Sequence, residues 1–70
     1  MNPNLIRQNL LPHKGERVLV KINGMRNKTD KFIGVMKEFY PHIFTIEVDG
    51  TIRSFSYADI INDEVVLTFI

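Results

Sequence analysis

The dipeptide Asp49-Gly50 is the strongest constraint on how this chain folds, because it separates two short stretches that each alternate apolar and polar residues. Asp-Gly favours a two-residue type I′ loop, and such a loop fixes strand register. Val48 then faces Thr51, Ile46 faces Arg53, Phe44 faces Phe55 and His42 faces Tyr57. That register collects Phe44, Ile46, Val48, Phe55 and Tyr57 on one face and leaves Ile43, Thr45, Glu47, Ile52, Ser54 and Ser56 on the other. A three-residue loop would oppose Phe44 to Ser56 and lose the aromatic pair. The first face is therefore the predicted core.

The same alternation marks three further strands. Arg17 to Ile22 places Val18, Val20 and Ile22 opposite Arg17 and Lys21. Lys31 to Phe39 carries Gly34 in its interior, where glycine signals a bend or a close backbone approach. Glu64 to Phe69 alternates Val65, Leu67 and Phe69 with Val66 and Thr68. Between the fourth and fifth strands, Tyr57 to Ile61 breaks the pattern over too few residues for a regular helix and predicts a single 3₁₀ turn. At the N-terminus, Asn2 is a good cap and Pro3 suits the first helical position. Leu5, Ile6, Asn9 and Leu10 supply one stripe, and Pro12 stops the helix near Leu11.

Seventy residues make one domain, near the size at which a single core just outweighs chain entropy. An apolar share of 44%, with five Phe and two Tyr, is enough for a folded core. Five short strands in so short a chain hide their apolar faces by curling the sheet on itself. The expected architecture is mainly β: a small SH3-like five-stranded barrel over residues 16–70, with a short N-terminal helix over residues 2–12.

The chain has no cysteine, which excludes a disulfide framework and thiolate metal sites. No signal-peptide run or membrane-length apolar stretch is present, so a cytoplasmic protein without membrane association is expected. His13 and His42 stand alone, with no His-x-x-x-His spacing. Serines and threonines lie outside any nucleophile motif, and Asn23-Gly24-Met25 lacks the second glycine and the following helix of a phosphate loop. These patterns predict no enzyme, no catalytic residues, no metal and no cofactor.

Charge is the remaining functional signal. The net charge is only +1, yet residues 1–37 carry +6 and residues 38–70 carry −5 by residue count. Arg26, Lys28 and Lys31 lie in or beside the loop after the first strand, and Arg17 and Lys21 project from that strand's outer face. Together they form a candidate surface for nucleic acid, provided aromatic residues such as Tyr40 or Phe39 lie near enough to stack bases. The bland alternative is a solubilising loop whose charges neutralise the acidic half. The split also suits self-association into a homodimer. Tyr40, Pro41 and Tyr57 suggest a different site, a groove for a protein partner, although Tyr57 equally fits a core position with its hydroxyl at the rim.

The wording of several segments adds a resemblance. Gly24-x-Arg26-x-Lys28-Thr29, Gly34-Val35-Met36-x-Glu38-x-Tyr40-Pro41-x-Ile43-Phe44-x-Ile46, Ser54-x-Ser56-Tyr57-Ala58-Asp59-Ile60 and Val65-x-Leu67-Thr68-Phe69 are similar to the Veg family of small Gram-positive bacterial proteins. Ile6-Arg7-x-x-Leu10 and Gly15-x-Arg17 extend the likeness to the helix and first strand. The resemblance implies a cytoplasmic regulator that stimulates biofilm formation through altered gene expression, one route being antagonism of a transcriptional repressor. It brings no catalytic residues. The leading expectation is a non-enzymatic small-barrel regulator with a protein partner, the second a nucleic-acid-binding barrel, and an enzyme stands third.

Overall fold

Helix α1 (Pro3–Leu10) begins as its sequence predicts. The Leu5 N–H donates to the Asn2 side-chain oxygen at 2.9 Å, and Pro3 takes the first helical position, where its missing N–H leaves nothing unpaired. The buried face is centred on Ile6 and Leu10, one turn apart, whereas Leu5 is half exposed. The chain then tightens into a 3₁₀ turn, Leu11–His13, around Pro12. Residues 2–24 and 29–70 are described in this computed structural model.

The strands are β1 (Arg17–Asn23), β2 (Thr29–Phe39), β3 (Ile43–Val48), β4 (Thr51–Ser56) and β5 (Val65–Phe69). They form one antiparallel sheet in the order β4-β3-β2-β1-β5. The β3–β4 register is the one the two-residue loop demands, with Phe44 opposite Phe55, Ile46 opposite Arg53 and Val48 opposite Thr51. Asp49 and Gly50 both have positive φ, 51° and 81°, as a type I′ turn requires. The ladder stops at Ser56, but the Tyr57 N–H still reaches the His42 carbonyl at 3.3 Å.

The core lies on the predicted face. Val18, Val20, Met36, Phe44, Ile46 and Tyr57 are fully buried, joined by Phe39, Phe55, Val65 and the two α1 residues. The long strand β2 is shared: its first half pairs with β1 and its second half with β3. Gly34 sits near the changeover. A Cβ there would run into the Ile46 side chain and come within 2.8 Å of the Glu47 carbonyl oxygen, so only glycine lets β2 approach β3 this closely. Beyond Met36 the β2–β3 register shifts, which is the mark of a bulge. The Glu38 N–H there is taken by the Thr45 hydroxyl at 3.0 Å. This bond explains why Thr45, on the face predicted to meet solvent, is buried.

Further expectations change. Tyr57–Ile61 is a short α-helix, α2, and not a 3₁₀ turn. The Ser56 hydroxyl accepts from the Asp59 N–H at 3.2 Å, and the Asn62 N–H reaches the Ala58 carbonyl at 3.0 Å, so even this short segment is held at both ends. The expected barrel is observed as a five-stranded sheet with edges at β4 and β5. Helix α2 follows β4 in the chain, leads into β5, and touches both strands and α1.

The Gly34 geometry makes a direct prediction. Gly34→Ala should destabilise the domain by about 1–3 kcal/mol through overpacking, read as a lower denaturant midpoint. An unchanged midpoint would show that β2 and β3 have room the structure does not give them.

Candidate functional site

Strand β2 ends at Phe39, and the chain turns through Tyr40, Pro41 and His42 before β3 begins. The corner is closed by the Tyr40 N–H, which donates to the Ile43 carbonyl at 2.8 Å. Proline at position 41 has no N–H to satisfy, so it suits a corner outside the ladder. The Tyr40 carbonyl finds its partner in the Tyr57 hydroxyl, which donates at 2.7 Å. Tyr57 itself is fully buried, with its ring 5.4 Å from that of Phe44. The Tyr40 side chain points the other way and is 49% exposed, while Pro41 and His42 are also exposed.

Arg7 of α1 reaches the same place. One terminal nitrogen makes a long, 3.5 Å contact with the Phe39 carbonyl, and its Nε is buried without a partner among the described residues. Burial raises the Tyr57 hydroxyl above its ordinary pKa near 10, an effect that the positive charge of Arg7 and its hydrogen bond partly offset. An open groove of about 460 Å³ adjoins the corner, lined by Asn2, Pro3, Asn4, Arg7, Pro41 and His42. The lining has several hydrogen-bond donors and one cation, and no carboxylate.

The other predicted residues lie elsewhere. Lys21 and Lys31 are direct cross-strand partners on the outer face of β1 and β2, where like charges repel. Neither has an acidic partner among the described residues. Arg17 is exposed at the start of β1, four residues along from Lys21 and about 13 Å away in strand geometry. Arg26 and Lys28 lie outside the described residues. Tyr40 is nine residues beyond Lys31 on the same strand path, about 30 Å at the usual rise. The structure thus brings Tyr40, Pro41 and Tyr57 together at one end of β2 and Lys21 and Lys31 at the other.

Aromatic residues do not gather around the cations. Phe39, proposed from sequence as an exposed stacking surface, is buried and packs 6.4 Å from Phe44. Phe32 lies beneath Arg53, whose guanidinium carbon is 4.5 Å from the ring centre. Among the described Phe and Tyr residues only Tyr40 is exposed.

Arg7 and His42 enter the groove without having been singled out as binding residues. No local pattern announces Arg7, because its carbonyl partner is 32 positions away. Only the combination of a cap at Asn2 and a cation one turn later hints at a donor-rich helix start.

A comparison with protein families now places the chain. Residues 3–68 match the family described as the biofilm formation stimulator VEG. The chain belongs to that family. The expectation from its motifs is thereby confirmed across nearly the whole length. Membership implies stimulation of biofilm formation, and the VEG family is a regulatory rather than a known enzyme family. No curated protein matches the chain. Among the described residues, no helix is long and apolar enough to cross a membrane.

Tyr57 offers a test at high pH. A raised folded-state pKa means that its contribution to stability is complete below about pH 10 and is lost as pH rises through the folded value. In Tyr40→Phe, where Tyr57 is the one tyrosine left, the phenolate absorbance should therefore appear at higher pH in the folded than in the unfolded chain. Tyr57→Phe should cost about 1 kcal/mol at neutral pH and reduce the alkaline sensitivity. A phenolate midpoint in the folded chain equal to or below that of the unfolded chain would contradict its burial.

Proposed function

We propose that this VEG-family protein stimulates biofilm formation as a non-enzymatic, cytoplasmic regulator that influences transcription by binding another protein at the Tyr40–Pro41 corner. The observation that carries this reading is the hydrogen bond from the buried Tyr57 hydroxyl to the Tyr40 carbonyl. It fixes the backbone from within and leaves the Tyr40 ring and Pro41 outward, beside the groove. A rigid aromatic on an ordered backbone loses little entropy on binding, which is why tyrosines anchor protein contacts. The lining supplies Arg7, His42 and asparagine amides, so the fitting segment carries carbonyls or carboxylates. In this reading the domain acts as an SH3-like barrel. A transcriptional repressor is one class of partner through which such binding would alter gene expression.

Nucleic acid is the second reading, favoured by the adjacent Lys21 and Lys31. Against it stands the absence of an exposed aromatic on that part of the sheet among the described residues. Cations without stacking surfaces favour backbone attraction that weakens steeply with salt.

Affinity capture from the native cytoplasm separates the readings. The expected result is a specific protein partner retained after nuclease treatment and in moderate salt, lost by Tyr40→Ala and Pro41→Ala, and kept by Lys21→Ala with Lys31→Ala. Recovery that depends on the lysines and disappears with nuclease would replace the first reading by the second.

A further inference from the structure

Strand β5 has one neighbour, β1, and its other edge meets no strand. The Asn23 N–H donates to the Glu64 carbonyl at 2.8 Å and the Ile70 N–H to the Arg17 carbonyl at 3.5 Å. Antiparallel pairing alternates, so these two bonds set the phase of the whole ladder. Glu64, Val66, Thr68 and Ile70 turn their backbone groups toward β1. Val65, Leu67 and Phe69 turn theirs outward. Their side chains lie on the core face, where Val65 is buried and Leu67 and Phe69 pack partly against the core.

Nothing in Val65–Ile70 guards that edge. The stretch contains no charge, no proline and no glycine, although natural edge strands are commonly protected by such devices. Alongside runs a largely apolar groove of about 230 Å³, lined by Ile6, Leu10, Ile60, Leu67 and Phe69, with Asn9 and Asp63 as its polar members. Room for side chains next to an unpaired edge is the arrangement that strand addition uses.

The choice of occupant follows from which way each strand faces. Edge strand β4 has Thr51, Arg53 and Phe55 bonded to β3, a phase fixed by the tight turn and by the Tyr57 N–H to His42 carbonyl bond. Its outward backbone groups belong to Ile52, Ser54 and Ser56, whose side chains are on the outer face. Residues directly opposite in an antiparallel pair share a face. Pairing β4 of one copy with β5 of another would therefore continue a core face into an outer face. Pairing β5 with β5 continues core into core.

We propose that the protein forms a symmetric dimer in which β5 pairs antiparallel with β5 of a second copy about a two-fold axis at Leu67. Val65 lies opposite the partner's Phe69, and Leu67 lies opposite the partner's Leu67. On the outer face Val66 lies opposite the partner's Thr68. No like charges meet, and the apolar groove is covered from the core side. A two-fold interface closes on itself and leaves no free copy of the edge for further growth. The attraction is apolar and backbone-mediated, so the dimer persists at high salt, unlike one held by the opposed charges of the two halves of the chain.

Sedimentation and oxidative cross-linking test this. The native chain should have a dimer mass at low and high salt. Val66→Glu with Thr68→Glu, at two exposed positions, should weaken the dimer about ten-fold or more by opposing two pairs of carboxylates across the axis. Val66→Glu with Thr68→Lys should restore it. Since the chain has no cysteine, Leu67→Cys places single thiols at a Cα separation of about 5.5 Å, within disulfide range, and should give a covalent dimer. Ser54→Cys, on the other edge, should not. A monomer mass for the native chain at high concentration, or cross-linking by Ser54→Cys in place of Leu67→Cys, would overturn the proposal.

Discussion

Tyr57 is the residue on which the rest of the arrangement depends. It stands where β4 gives way to α2, and its ring fills the core against Phe44 while its hydroxyl leaves the core to hold the Tyr40 carbonyl. Phe44 in turn stacks near Phe39 and Phe55, so one aromatic group ties the β2–β3 corner, the β3–β4 hairpin and the start of α2. A buried phenol needs a hydrogen-bond acceptor, and the corner offers a carbonyl left outside the ladder. Each satisfies the other. The exposed Tyr40–Pro41 surface is thus a consequence of core construction, with its backbone held from within.

Three local ion pairs form among the described residues, and most charged side chains stand outside them. Lys14 meets Glu38 at 3.4 Å and Lys37 meets Glu47 at 3.8 Å, both joining the basic half of the chain to the acidic half. His13 lies 2.9 Å from Glu16 and stacks on Phe69 with ring centres 3.8 Å apart. Such exposed pairs stabilise little, yet they reduce the charge available for long-range attraction. Lys21 and Lys31, with Arg17 further along β1, make a cationic strip on the outer sheet face, where Ile33 is 47% exposed. That composition is poor for stacking bases.

Much of the fold was legible because its signals are local. Asp49-Gly50 specified a register, Asn2-Pro3 a helix start, and the alternation of Val18 and Val20 a buried face. The misreadings come from long-range contacts. Thr45 looked solvent-facing by parity, but it is buried because its hydroxyl serves a bulge on β2. Phe39 looked exposed beside Tyr40, yet it turns into the aromatic stack. Residues 57–61 looked too short for an α-helix, and it is the Ser56 cap together with docking of Ile60 and Ile61 on the core that makes them one. Arg7 stood out only as part of a family-like motif, since its role arises only when the fold brings it within reach of the Phe39 carbonyl, 32 positions away. Family wording marked ancestry along the whole chain and so did not single out the corner.

The central claim is that partner contact occurs at the Tyr40 end of β2 and that the partner is a protein. Photo-cross-linking in living cells, with a photoreactive amino acid placed at position 40 in one variant and at position 31 in another, addresses it most directly. The account predicts a discrete protein adduct from position 40 and little from position 31. A nucleic-acid adduct, or a protein adduct arising from position 31 alone, would contradict it.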